Sequence, residues 1–163
     1  MAFLTANNLN MYYEQLGSGP DVLVINGTGN DLLVKPNIMD SPLTAQFRVT
    51  AYDQRGLGQT DKPQTGYTMA NYADDAAALM QALNIESALV LGISFGGMVA
   101  QELAIRHGAH IKKLALWCTA AGGDGGASYP LHELADLDDA ARLRQMMKLN
   151  DSRVDDAFID ANP

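Results

Sequence analysis

Cysteine is almost absent from this 163-residue sequence. Cys118 stands alone, so no internal disulfide can form and a reducing compartment is expected. Basic residues are also scarce: 11 Lys plus Arg face 19 Asp plus Glu, for a formal net charge of −8. No stripe of cations is available to neutralise phosphates, which argues against a nucleic-acid partner. Apolar runs stay far below membrane-spanning length, so no membrane association is expected. The opening "MAFLTANNLN" has neither a basic start nor a long apolar core. It does not read as a signal peptide, and a cytoplasmic location is the expectation. A chain this long suits one domain, burying roughly two-thirds of the surface its unfolded form exposes.

What the sequence does contain is an alternation of compact apolar runs with helix-like stretches. Residues 2–16 read as two short strands around the turn-prone Asn7-Asn8. "DVLVING" (21–27), "FRVTAYD" (47–53) and "IKKLALWC" (111–118) have the look of strands buried on both faces. Pro36 and Pro42 bound a short helix candidate between the first two of these. "YTMANYADDAAALMQALNI" (67–85) carries apolar residues at helical spacing, with Thr68 as N-cap and Asp74 and Asp75 expected to face outward. Another strand passes through "LVLGISFGGM" (89–98) into a helix that runs to about Gly108. This order predicts an α/β fold: a mostly parallel sheet with helices on both faces, its first two strands antiparallel. After "TAAGGDGGAS" the remaining stretch 130–163 is acidic and helical, without a further strand. Residues 1–123 are therefore expected to form one unit and residues 124–163 another.

The segment at Gly92 to Gly97 carries the most chemistry. A strand that reverses sharply into a helix strains the corner residue, and the residues two before and two after crowd one another. Here those two places hold Gly92 and Gly96, and the corner is Ser94. Such a G-x-S-x-G turn stands its hydroxyl above the sheet at a helix N-terminus, where free N–H groups favour developing negative charge. Competing explanations fare worse. A phosphate loop needs a lysine where Met98 stands, and a dinucleotide fingerprint starting at Gly27 needs Gly or Ala where Leu32 stands. A purely structural glycine turn is the plain alternative.

Three segments together resemble the α/β-hydrolase superfamily, in that family's order. "NGTG" (26–29) stands at the oxyanion loop, "YDQRGLGQTDKP" (52–63) at the D-x-R-G-x-G turn, and "GISFGG" (92–97) at the nucleophile elbow. General similarity around residues 47–121 is greatest to 3-oxoadipate enol-lactonases and related esterases. The resemblance implies that Ser94 is the nucleophile toward a small-molecule carboxylic ester or lactone. It also implies that the backbone N–H groups of Phe95 and Thr28 hold the oxyanion. Asn26 departs from the His-Gly start common in that loop. Asp53 and Arg55 are read as braces of their turn through side-chain to backbone hydrogen bonds. No metal, flavin or nucleotide site is visible, so a cofactor-free reaction is expected.

The resemblance further implies a triad acid and histidine later in the chain. Only His107, His110 and His132 exist. His107 and His110 fall around the far end of the helix after Ser94 and are expected to be solvent-facing helix-end residues rather than a metal pair. His132 lies in the segment resembling the start of a helical cap, and Asp124 is a conceivable acid. The acid and base are expected outside these residues, in a chain truncated before them. Losing the histidine of a serine protease costs about 10⁶ in turnover. The 163 residues alone are thus expected to be close to inert. Two other outcomes stay open: a catalytically inactive half-fold that binds or assembles through an exposed sheet edge, with a homo-oligomer or a complementing C-terminal segment as partner, and a haloperoxidase, C–C hydrolase or acyltransferase relative.

Overall fold

The computed structural model describes residues 2–123, 126 and 129–162. Two compact units divide the chain, residues 1–126 and 127–163.

In the first unit, β1 (Ala2–Ala6) and β2 (Leu9–Leu16) form an antiparallel hairpin. Its two-residue turn places Asn7 at φ 47° and Asn8 at φ 59°. Positive φ at both centres is what a tight hairpin turn demands, and asparagine tolerates it better than most residues. The strands β3 (Asp21–Ile25), β4 (Arg48–Tyr52), β5 (Ala88–Ile93) and β6 (Ile111–Trp117) complete a six-stranded sheet of order β1-β2-β4-β3-β5-β6. β2 pairs antiparallel with β4, while β3–β4, β3–β5 and β5–β6 are parallel. The sheet is therefore the mostly parallel one that the alternating pattern predicts.

Helices α1 (Met69–Ala82) and α2 (Phe95–His107) pack together on one face. The Thr68 hydroxyl accepts from the Asn71 amide and caps the first turn of α1. Asn84, in the left-handed region at φ 56°, follows its last turn. Alanines at 73, 76, 77 and 100 let the helices lie close to each other and to the sheet, around buried Leu23, Ile25, Leu79, Met80, Val90, Val99 and Leu103. Burying each large apolar side chain contributes about 1.5–3 kcal/mol.

The opposite face is helical only in part. Two 3-10 helices, Ile38–Asp40 and Pro42–Ala45, cover Val22, Val24, Val49 and Ala51 with Met39, Ile38, Leu43 and Phe47. Pro36 and Pro42 fall six residues apart and interrupt any longer helix here, because proline lacks the N–H that a continuing helix requires.

The second unit holds the 3-10 helix Leu131–Asp136, α3 (Asp139–Asn150) and α4 (Asp156–Ala161). Asp138 caps α3 through the Ala141 amide and Asp155 caps α4 through the Phe158 amide. Arg144 bridges to Asp156 and Asp160, and Lys148 to Asp156, tying the two helices together. Among the described residues no helix is long and apolar enough to cross a membrane.

Candidate active site

Parallel register brings the chemistry-bearing loops to one end of the sheet. Ile25 at the end of β3 pairs with Gly92 near the end of β5, so residues 26–29 and the Ser94 turn leave the sheet side by side. Ser94 sits at φ 54° and ψ −121°, as the N-cap of α2. That backbone region is costly for a residue with a side chain and persists only where surrounding contacts enforce it. Several contacts do so. The Ser94 amide donates to the Trp117 carbonyl at 2.9 Å. The Ser94 carbonyl accepts from the Gly97 amide at 2.8 Å and from the Thr119 hydroxyl at 2.7 Å.

The glycines either side are required by close approach. A Cβ at Gly92 would lie 2.6 Å from the Ala100 Cβ and 2.7 Å from the Gly97 Cα. At Gly96 it would collide with the carbonyl oxygens of Ile25 and Asn26. The elbow thus backs directly onto the loop after β3. Gly27 of that loop faces the Ser94 side chain: a Cβ there would stand 3.2 Å from the Ser94 Cβ. Among the described residues, no backbone carbonyl takes the N–H of Phe95 or that of Thr28. The amide of Phe95 belongs to the first turn of α2, whose N–H groups have no partner inside the helix.

The turn after β4 braces this end of the sheet. Asp53 is buried and accepts from the Leu32 and Gln59 amides at 2.9 and 2.8 Å. Burial pushes its carboxyl up from the ordinary value, against the two backbone donors that pull it down. Its bracing role matches the expectation. Arg55 meets it through one bond and adds an ion pair that the expectation lacked. One guanidinium nitrogen donates to the Gly66 carbonyl at 2.6 Å, but Nε and Nη2 hold Asp75 at 2.6 and 2.7 Å. Asp75, expected on the outer face of α1, is 1 % exposed and also accepts from Asn7 Nδ2 at 2.7 Å. A charge faces the interior here because a guanidinium of opposite sign meets it bidentately.

The histidines of the first unit stand elsewhere. His107, expected to face solvent, is half-buried with Nε2 2.7 Å from Asp74 Oδ1. Arg106 and then His107 hold the Asp74 carboxyl below its ordinary value. His110 Nδ1 lies 2.8 Å from the Glu86 carbonyl. His107 closes α2 thirteen residues after Ser94, on the order of 20 Å along the helix axis, and so does not reach its hydroxyl. His132 belongs to the second unit, in the 3-10 helix Leu131–Asp136. Asp124 lies outside the described residues.

A family model described as the alpha/beta hydrolase fold matches residues 20–153. The chain belongs to the alpha/beta hydrolase family. An uncharacterized protein of Mycobacterium tuberculosis (strain ATCC 25618 / H37Rv) is 34% identical over 123 residues, which are 76% of this chain and 35% of that protein. The 2-hydroxymuconate semialdehyde hydrolase of Pseudomonas sp. (strain CF600) is 33% identical over 120 residues, 72% of this chain and 41% of that one. Among solved structures, the enol-lactonase from Burkholderia xenovorans LB400 superposes with a TM-score of 0.71 at 30% identity, covering 90% of this chain and 58% of that one. This alpha/beta hydrolase chain therefore spans about a third to three fifths of the length of the relatives it matches.

Sequence reasoning singled out Ser94, Phe95 and Thr28, and the fold brings their two loops together. It passed over Gln54, whose side chain reaches the Asn26 carbonyl, and Thr119, whose hydroxyl holds the Ser94 carbonyl. Neither residue belongs to a spacing pattern that signals such a contact. Both act across strands paired far apart in sequence.

Proposed function

We propose that this chain carries the nucleophile and oxyanion machinery of a serine hydrolase acting on a small-molecule carboxylic ester or lactone. Ser94 Oγ attacks the acyl carbon while a base takes its proton. The resulting oxyanion is held by the N–H groups of Phe95 and Thr28. Collapse breaks the bond to the leaving oxygen, which receives the proton, and water then releases the acyl group from Ser94. Each oxyanion donor, correctly aimed, supplies roughly 2.7–4 kcal/mol of barrier lowering. The observation that carries this reading is the Ser94 backbone, at φ 54° on the N-terminus of α2, with the Gly27 loop against its side chain. The reading assigns the triad acid and base to residues outside 1–163 and requires no cofactor. The enol-lactonase likeness supports an ester or lactone substrate, and the likeness to a 2-hydroxymuconate semialdehyde hydrolase leaves a C–C bond as the alternative.

The test uses the whole protein encoded by the gene, a fluorophosphonate probe, and a p-nitrophenyl ester beside an enol-lactone. Covalent labelling at Ser94 and turnover of at least one substrate are expected, both lost in Ser94→Ala. Labelling elsewhere, or turnover that survives that substitution, rules the assignment out.

A second reading, assembly through the sheet edge, is favoured by β6. Among the described residues that strand stands last in the sheet order, and Leu114, Leu116 and Trp117 on it are exposed.

A further inference from the structure

Gln54 lies between the two residues that brace the turn after β4, and it has a different target. It is 2 % exposed. Its Nε2 donates to the Asn26 carbonyl at 2.8 Å. Among the described residues, its Oε1 is buried with no donor. A side chain held there merely to fill space would be cheaper without that amide, since an unpaired buried polar atom costs about 1–3 kcal/mol. The one bond it makes falls on the peptide that joins Asn26 to Gly27. The same carbonyl lies against Gly96 of the elbow, where any Cβ would strike it. Gly27 in turn abuts the Ser94 side chain. The 26–27 peptide is therefore wedged between the Gln54 amide and the serine turn. Six residues on, the Leu32 amide is fixed to Asp53. Thr28 hangs between these two anchors, exposed itself and steered by the peptides before it.

We infer that Gln54 is a positioning residue: by holding the Asn26 carbonyl it fixes the plane of the peptides leading to Thr28 and thereby aims the Thr28 N–H at the oxyanion. This rests on the reading of Ser94 as nucleophile and Thr28 as oxyanion donor. Gln54 touches no reacting atom. Its effect is on transition-state stabilisation, so it enters kcat rather than KM.

The experiment compares wild type, Gln54→Met and Ser94→Ala in the whole protein encoded by the gene. It measures p-nitrophenyl acetate kinetics, the rate of fluorophosphonate labelling and the thermal midpoint. Methionine keeps the volume and removes both amide atoms, the bonded one and the orphan together. For Gln54→Met, kcat and labelling rate should fall about tenfold to a hundredfold, as for a misaimed oxyanion donor. KM should stay within about twofold, and the midpoint within about 4 °C. Wild-type kcat and labelling in Gln54→Met, with both abolished in Ser94→Ala, overturns the role of Gln54 and leaves the nucleophile standing. A fall in kcat matched by a large loss of midpoint, or a change in KM alone, also overturns it. A wild-type protein that neither labels nor turns over takes both readings down together.

Discussion

Ser94 and the two glycines around it form one mechanical unit. The serine adopts a backbone that costs on the order of 1–3 kcal/mol. The turn survives because Gly92 and Gly96 let α2 and the β3 loop close around it, and because Trp117, Thr119 and Gly97 hold the serine's own amide and carbonyl. Gly96→Ala tests the packing half of this account. Its methyl group would meet the backbone oxygens of Ile25 and Asn26, which have no side-chain freedom with which to yield. A loss of about 1–3 kcal/mol is expected, read as a lower urea midpoint with an unchanged slope. The substitution should also slow labelling of Ser94, since the same push displaces the peptide beside Gly27.

At the scale of elements, the buried Arg55–Asp75 pair joins the turn after β4 to α1, with Asn7 of the hairpin as a third member. Desolvating two charges costs nearly what their attraction returns, whereas leaving one alone is expensive. Asp75→Ala should therefore destabilise the first unit by about 3–5 kcal/mol, with Arg55 left facing an apolar interior. The double variant Arg55→Met, Asp75→Leu should recover most of that loss, because no uncompensated charge remains. Chemical denaturation of the three proteins measures both outcomes. A double variant as unstable as the single one would show that the pair's hydrogen bonds to Gly66 and Asn7, not its charge balance, hold these elements together.

For the whole molecule, the two ends of the sheet differ. β1 ends it on one side beside its hairpin partner, with only Phe3 among its large apolar side chains exposed. Among the described residues β6 stands last on the other side, with six of its seven residues exposed, Trp117 at 63 %. An apolar edge strand with open N–H and C=O groups is a template for another strand. The 163-residue chain is expected to sediment above monomer mass at micromolar concentration. Leu116→Lys should shift it back toward monomer, since a charge on the edge disfavours strand addition. A wild-type chain that stays monomeric and folded would remove the edge as an assembly surface.

The sequence by itself determined the strands and the elbow. Continuous Val, Leu and Ile runs marked the strands, but the burial expected of "IKKLALWC" is not met, since β6 leaves six of its seven residues exposed. Glycines two residues either side of a serine serve a tight reversal that other residues obstruct. Adjacent positions on a helix point about 100° apart, so "ADDA" in an alanine-rich stretch leaves open which aspartate faces inward. Only the tertiary structure chose Asp75, because the choice depends on Arg55 arriving from a turn twenty residues earlier. Gln54 is the same case. Nothing in its neighbours announces a contact with Asn26, and the contact exists because β3 and β4 pair in parallel, so that their ends stand level. Local pattern decides what a segment becomes, while long-range register decides which polar groups meet.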